Sequence, residues 1–311
     1  MNKLSLIAAG AVLLLGGAAA AHADTYALLM GINDYPDVVD ANGKPMKDDK
    51  GEIISCDLKG AVNDIKTYND VLVNKFGIHP DHIKMVLDKD AGEKGFVDGM
   101  TWLIDSAKPG DQIIFCYSGH GGQIEDKTEA DGTQEVIVLA DEKLVPGNLF
   151  GELAKGFVKS GVNASFVFDS CFSGGMSRNI FSYDGKPGTT RKKFLDGNLT
   201  KKMTSVPAAT LTEVKMLQKK APTQSEAEYA FIFAGSEDQT TSDLEFKDPA
   251  TPSRGLFSLL FGAVLQDDPD VSLADAIKEI ADILKEKGFD QKPGFEFSNP
   301  DRGKKPLLIK Q

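Results

Sequence analysis

The chain has 311 residues, 41% of them hydrophobic and 26% charged, with a formal net charge of −11 at neutral pH. That length and composition suit one large globular domain with a substantial core, and exclude a low-complexity or collagen-like chain. The acid excess argues against nucleic acid as a partner and mildly favours cationic ones, although acidity also serves solubility.

The first 23 residues read as a secretory signal peptide. Lys3 gives the positive end, Leu4 to Ala21 an apolar run short for a spanning helix, and Ala21-His22-Ala23 a small-residue cleavage site. Nothing after Asp24 is apolar for long enough to cross a bilayer, so residues 24–311 are expected as an exported domain, periplasmic or extracellular, without stable membrane insertion. Three cysteines remain there, Cys56, Cys116 and Cys171. An odd count leaves at least one thiol free in a compartment that favours disulfides.

Tyr26 to Ile32 reads as a first strand, and Leu58 to Val73 as an amphipathic helix with Ala61, Ile65, Tyr68 and Leu72 on one face. Ile83 to Leu87 is a second strand, and Gly99 to Ala107 lies in a second helix that stops at Pro109-Gly110. Asp111 to Ser118 is a third strand, leading into Gly119-His120-Gly121-Gly122; Val136 to Ala140 is a short strand or hairpin arm. Leu149 to Lys159 looks helical, and the apolar strand Ala164 to Phe168 runs into Asp169-Ser170-Cys171-Phe172-Ser173-Gly174-Gly175. Met176 to Glu228 is polar, rich in Lys, Thr, Ser and Gly, and reads as an exposed, partly disordered insert. The core resumes with a strand at Tyr229 to Ala234, helices at Gly255 to Leu265 and Ser272 to Glu286, the latter capped by Ser272, and an edge strand at Pro306 to Ile309. Near-continuous apolar strands alternating with helices imply an α/β sandwich around a mostly parallel sheet.

In such folds the loops leaving the carboxyl ends of strands line the active crevice. Two of these loops carry unusual chemistry, one with His120 and one with Cys171, each flanked by glycines that let backbone N–H groups approach a substrate. A thiol paired with an imidazole can cut amides: the thiolate attacks and the imidazole protonates the leaving amine. The N–H groups of Gly121 and Cys171 are the natural oxyanion donors. A lone Cys at a strand end is usually a buried small hydrophobe, and a lone His in a Gly-rich turn usually structural; it is the conjunction that points to catalysis. No Cys and His pair at the short spacings of a zinc site.

The Ser-Gly-His-Gly turn followed about 50 residues later by Asp-Ser-Cys-x-Ser-Gly resembles the caspase-like superfamily, specifically its metacaspase and bacterial orthocaspase branch. Leu58-Lys59-Gly60-Ala61-Val62-Asn63-Asp64, Glu129-Ala130-Asp131-Gly132 and Arg254-Gly255-Leu256-Phe257-Ser258 carry the resemblance further. It implies a caspase-hemoglobinase-like three-layer αβα sandwich with a six-stranded sheet, and a cysteine endopeptidase with His120 and Cys171 as dyad. It also implies Asp64, Ser118 and Asp169 as the pocket for the substrate residue before the cut. Two carboxylates there would hold Arg or Lys and reject an acidic side chain, which agrees with the resemblance on independent grounds. Protein or peptide substrates with that basic residue are the expected partners, and the family's habit implies a monomer. Many relatives use calcium, and Glu125, Asp126, Glu129, Asp131 and Asp141 are candidate ligands. Pro146-Gly147-Asn148 and Arg178 stand where further acids are expected, so no cofactor is taken as required. In the insert, Lys186, Arg191-Lys192-Lys193, Lys201-Lys202 and Lys219-Lys220 offer sites for self-cleavage. The alternative is an idle caspase-like module that binds basic peptides or partner proteins.

Overall fold

The computed structural model describes residues 23–37, 39–40, 42–47, 51–53, 55–129, 132–171, 189–193, 203–207, 226–235, 241–246, 248 and 250–310, with main chain only at 189–192. Residues 1–22 of the expected signal peptide, much of the insert and Asp131 therefore lie outside the described residues.

Six strands form the central sheet: β1 (Thr25–Gly31), β2 (Ile83–Leu87), β3 (Gln112–Ser118), β7 (Asn163–Asp169), β10 (Tyr229–Phe233) and β13 (Gly294–Phe297), in the order β13-β10-β7-β3-β1-β2. All neighbours are parallel except the edge strand β13, which runs antiparallel to β10. Along the central strands successive residues face opposite layers, the period-two rule of a pleated sheet. Leu28, Met30, Phe115, Tyr117, Phe166 and Phe168 pack with helices α2 (Glu93–Ser106) and α3 (Gly147–Lys159). Ala27, Leu29, Ile114, Cys116 and Val167 pack instead with α1 (Ala61–Asn74), α4 (Leu256–Asp267) and α5 (Leu273–Glu286). Helices on both faces explain why these strands read as continuous apolar runs. The three-layer αβα sandwich around a six-stranded, mostly parallel sheet is as expected.

Two small sheets sit at the carboxyl ends of the central strands. One joins β4 (Gly121–Glu125), β5 (Thr133–Val138), β6 (Lys143–Pro146) and β9 (Thr204–Ser205); the other joins β8 (Thr189–Lys192), β11 (Ser242–Glu245) and β12 (Arg254–Gly255).

Several expectations are corrected. Helix α1 begins at Ala61, three residues later than expected, and the Asp243 carboxylate accepts from the N–H groups of Lys59 and Gly60 just before it. Helix α2, in which Gly99 to Ala107 is expected to lie, begins at Glu93, whose N–H is accepted by Asp141. The tail around Leu307 is no edge strand. Arg302 is buried and donates to the carbonyls of Pro306 and Leu307, which diverts the tail from ladder pairing and leaves β13 as the edge. Ser272 does cap its helix, accepting from Asp275 N–H at 3.1 Å. Among the described residues no helix is long and apolar enough to cross a membrane.

Candidate active site

Register brings the expected residues together. In the parallel ladder Ser118 lies opposite Gly31 on one side and Asp169 on the other, so the last residues of β1, β3 and β7 form one row. Helix α1 packs on β1 and presents Asp64 in its first turn, while β12 and the start of α4 close the far side. The Asp64 carboxylate accepts from Ser118 Oγ at 2.7 Å and from Gly255 N–H at 2.8 Å; Asp169 Oδ2 accepts from Ser258 N–H at 3.1 Å and from Ser258 Oγ at 2.6 Å. The Arg254-Gly255-Leu256-Phe257-Ser258 motif is thus the floor under both carboxylates.

This acidic cup is filled. Lys193, from the segment read as exposed, is 0% exposed. Its Nζ lies 2.9 Å from Asp64 Oδ2, 3.2 Å from Asp169 Oδ2 and 2.8 Å from Ser118 Oγ. The exposure expected of the insert fails at this residue because charge complementarity outweighs the cost of desolvating one ammonium among carboxylates. Burial pulls the Lys193 pKa down, but Asp169, Asp64 and Asp243 more than offset it, so the ammonium stays charged. Burial raises the Asp64 carboxyl, against the pull of Lys193.

The main chain of Lys193 is equally engaged. Its carbonyl oxygen accepts from Gly121 N–H at 2.9 Å and from Cys171 N–H at 3.2 Å, the two donors picked out from the sequence. Upstream of it β8 pairs antiparallel with β11, Lys192 opposite Ser242 and Arg191 opposite Asp243, and Lys193 N–H points to Thr241 O at 3.5 Å. A strand added to a sheet edge with one side chain in a pocket is the usual pose of a bound peptide.

Cys171 and His120 flank that carbonyl, at 1% and 3% exposure. Cys171 Sγ contacts Thr241, with the N–H at 2.6 Å, the hydroxyl at 3.2 Å and the carbonyl at 3.3 Å. Burial pushes its pKa up to about 11, with Thr241 pulling the other way. His120 Nε2 lies 2.6 Å from the carbonyl oxygen of Cys56. A carbonyl only accepts, so Nε2 carries the proton and donates, leaving Nδ1 as the lone-pair nitrogen. Nδ1 is buried and makes no hydrogen bond of full geometry, although the Lys193 main chain also acts on the ring as a polar neighbour. Burial holds the imidazole pKa down to about 4, the Cys56 carbonyl opposing, so the ring is neutral.

None of Cys56, Cys116 and Cys171 is joined in a disulfide. Of the described candidate calcium ligands, Asp126 accepts from Thr128 within its own turn and Asp141 caps α2. Among the described residues no group of three or more His, Cys, Asp or Glu is placed to hold a metal ion. The sequence had not singled out Thr241, the Cys56 carbonyl as an acceptor, Asp243 or Tyr35; Gly255 stood in a motif that gave no hint of its place beneath the carboxylates.

A family model described as the metacaspase, peptidase C14 domain matches residues 26–178. Metacaspase-1 of Ajellomyces capsulatus is 29% identical over 275 residues, covering 78% of this chain and 76% of that protein. Metacaspase-1 of Meyerozyma guilliermondii is 28% identical over 283 residues, covering 79% and 67%. A Geobacter sulfurreducens protein of known crystal structure superposes with a TM-score of 0.59 at 19% identity, over 92% of this chain and 98% of that one, a likeness of fold alone.

Proposed function

This chain belongs to the metacaspase, peptidase C14 family of caspase-like cysteine peptidases, and on that premise we propose that it hydrolyses peptide bonds after Arg or Lys with Cys171 as nucleophile and His120 as base, and that it cuts itself after Lys193. The observation that carries this reading is the pose of Lys193, with its ammonium among Asp64, Ser118 and Asp169 and its carbonyl oxygen on the N–H groups of Gly121 and Cys171.

In this reading Cys171 Sγ attacks the Lys193 carbonyl carbon while its proton passes to His120 Nδ1. Gly121 and Cys171 N–H groups hold the resulting oxyanion, a contribution of about two to three orders of magnitude per donor. The tetrahedral species collapses, the C–N bond to Phe194 breaks, and His120 returns the proton to the departing amine. Water then attacks the thioester, with His120 again as base, releasing a carboxylate at Lys193 and the free thiol. A substrate in trans takes the same path once the Lys193 segment has left. The reading invokes no cofactor and treats the enzyme as a monomer exported to the periplasm or outside the cell.

Lysine does not exhaust the cup. Its three N–H donors meet Asp64, Asp169 and Ser118, while Asp169 Oδ1 and Asp243 Oδ1 stay buried without partners. A guanidinium brings five donors in a planar fork and can reach further acceptors, so Arg should be cleaved faster than Lys. The test is hydrolysis of fluorogenic peptides ending in Arg, Lys or Asp by wild type and Cys171→Ala, each with calcium and with a chelator. Expected are cleavage after Arg ahead of Lys, none after Asp, none in Cys171→Ala, and equal rates in both metal arms. Cleavage after Asp would refute the pocket, and binding of basic peptides without turnover would favour the idle module.

A further inference from the structure

The turn that carries His120 is Gly119-His120-Gly121-Gly122, and glycine neighbours leave the backbone permissive. A base must nevertheless sit within a fraction of an ångström of its target, since misplacement by about 1 Å can cost about 100-fold in rate. The orientation of His120 therefore has to be imposed from outside the turn. We propose that Tyr35 and Tyr117 are positioning residues for His120, clamping its main chain and ring so that Nδ1 alone is left to move the proton. This rests on the reading of His120 as the base.

Both main-chain groups of His120 are taken. Its N–H donates to Tyr35 Oη at 2.9 Å, and its carbonyl accepts from Val138 N–H at 3.0 Å and from Tyr117 Oη at 2.7 Å. The two phenol oxygens are 3.2 Å apart, and both reach the Val138 carbonyl, Tyr117 at 2.7 Å and Tyr35 at 3.3 Å. They fill the space beneath the turn: a Cβ on Gly119 would fall 2.5 Å from Tyr117 Oη and 2.6 Å from Tyr35 Oη. Glycine at 119 is thus the counterpart of the hydroxyl pair.

The ring is held from the same side. Tyr35 and His120 ring centroids are 4.6 Å apart at 57°. Tyr35 N–H donates to Asp57 Oδ1 at 3.0 Å, and Leu58 N–H donates to Asn33 O at 2.8 Å, so the segments around residues 33–35 and 55–58 are tied together. Cys56, whose carbonyl takes the Nε2 proton, lies in the second of these segments. One clamp thereby fixes the backbone, the ring plane and the tautomer of His120. Burial keeps both phenols protonated, as donors must be.

The two hydroxyls are not equivalent. Without the Tyr35 hydroxyl the His120 N–H is buried with no acceptor, whereas without that of Tyr117 the His120 carbonyl keeps its bond from Val138. Tyr35→Phe, which keeps the ring, should therefore lower kcat on an Arg-ending peptide by about 10- to 100-fold with KM within about twofold. Tyr117→Phe should lower it less. A structural role alone would not alter the ring, so the second readout is the ¹⁵N signature of the His120 imidazole in a Cys171→Ala background. A single Nε2–H tautomer is expected there, and a mixture once Tyr35→Phe is added. A Tyr35→Phe enzyme with wild-type kcat and one tautomer would overturn the proposal, and should that variant not fold, Tyr117→Phe with unchanged kcat and tautomer would do so. His120→Ala separates the two ideas: if it retains activity, the reading of His120 as base falls, and if it is inert while Tyr35→Phe is fully active, only the clamp falls.

Discussion

At the scale of single residues, burial moves the pKa values of the thiol and the imidazole in the site away from their ordinary values. His120 is the clearest case, because its neutral form is favoured in the fold and its pKa drops from 6.5 to about 4. The unfolded chain takes up a proton at this residue as pH falls below about 6.5 while the folded chain does not, so stability is full above that pH and declines as pH approaches 4. The difference amounts to about 3 kcal/mol at 1.36 kcal/mol per pKa unit. Denaturant unfolding of Cys171→Ala at pH 7 and pH 4 should show this loss, and adding His120→Gln should shrink it; an unchanged pH dependence in the double variant would mean that His120 is not the group responsible. The residues legible from sequence were those whose neighbours betray them. His120, Gly121 and Cys171 stand among glycines at strand ends, and Asp169 directly precedes its turn. Thr241 and Tyr35 are ordinary residues in unremarkable loops, and only the tertiary fold brings them to Sγ and to the imidazole.

At the scale of elements, β12 and the start of α4 govern what enters the cup. Gly255 has φ −61° and ψ 132°, which alanine adopts without strain, so its absence of a side chain answers to space and not to backbone geometry. A Cβ there would fall 2.2 Å from Asp169 Oδ2, 2.4 Å from Lys193 Nζ and 2.6 Å from Asp64 Oδ2. Gly255→Ala should therefore cut kcat/KM for Arg- and Lys-ending peptides by about 10- to 100-fold, the equivalent of the 1–3 kcal/mol typical of overpacking. Cys171 should still react with a small alkylating reagent; full peptidase activity in this variant would show that the basic side chain before the cut does not reach the floor. Most central strands and helices were legible to within a few residues because their faces are buried with regular period. The exceptions lie at tertiary contacts: Asp243, far along the chain, accepts from the N–H groups before α1, and Arg302 claims the carbonyls of the tail. The β8–β11 pairing was also invisible, since a short polar strand carries little periodic signal.

At the scale of the whole molecule, the central sheet aligns β1, β3 and β7 so that one edge holds cup, thiol and imidazole, and the chain supplies its own occupant from between β7 and β10. Four basic clusters or residues could have been cut on sequence grounds, and the register of β8 against β11 places Lys193 in the cup. In the proposed reading the intact chain holds its own peptide in the cup, and cleavage after Lys193 would free the cup for other proteins. The most direct test is the intact mass of purified wild type, Cys171→Ala and Lys193→Ala after equal incubation. The account predicts a break between Lys193 and Phe194 in wild type, a single uncut chain in Cys171→Ala, and loss of that break in Lys193→Ala. A wild-type chain that stays whole while cleaving Arg-ending peptides, or a break at Lys193 that persists in Cys171→Ala, would contradict it.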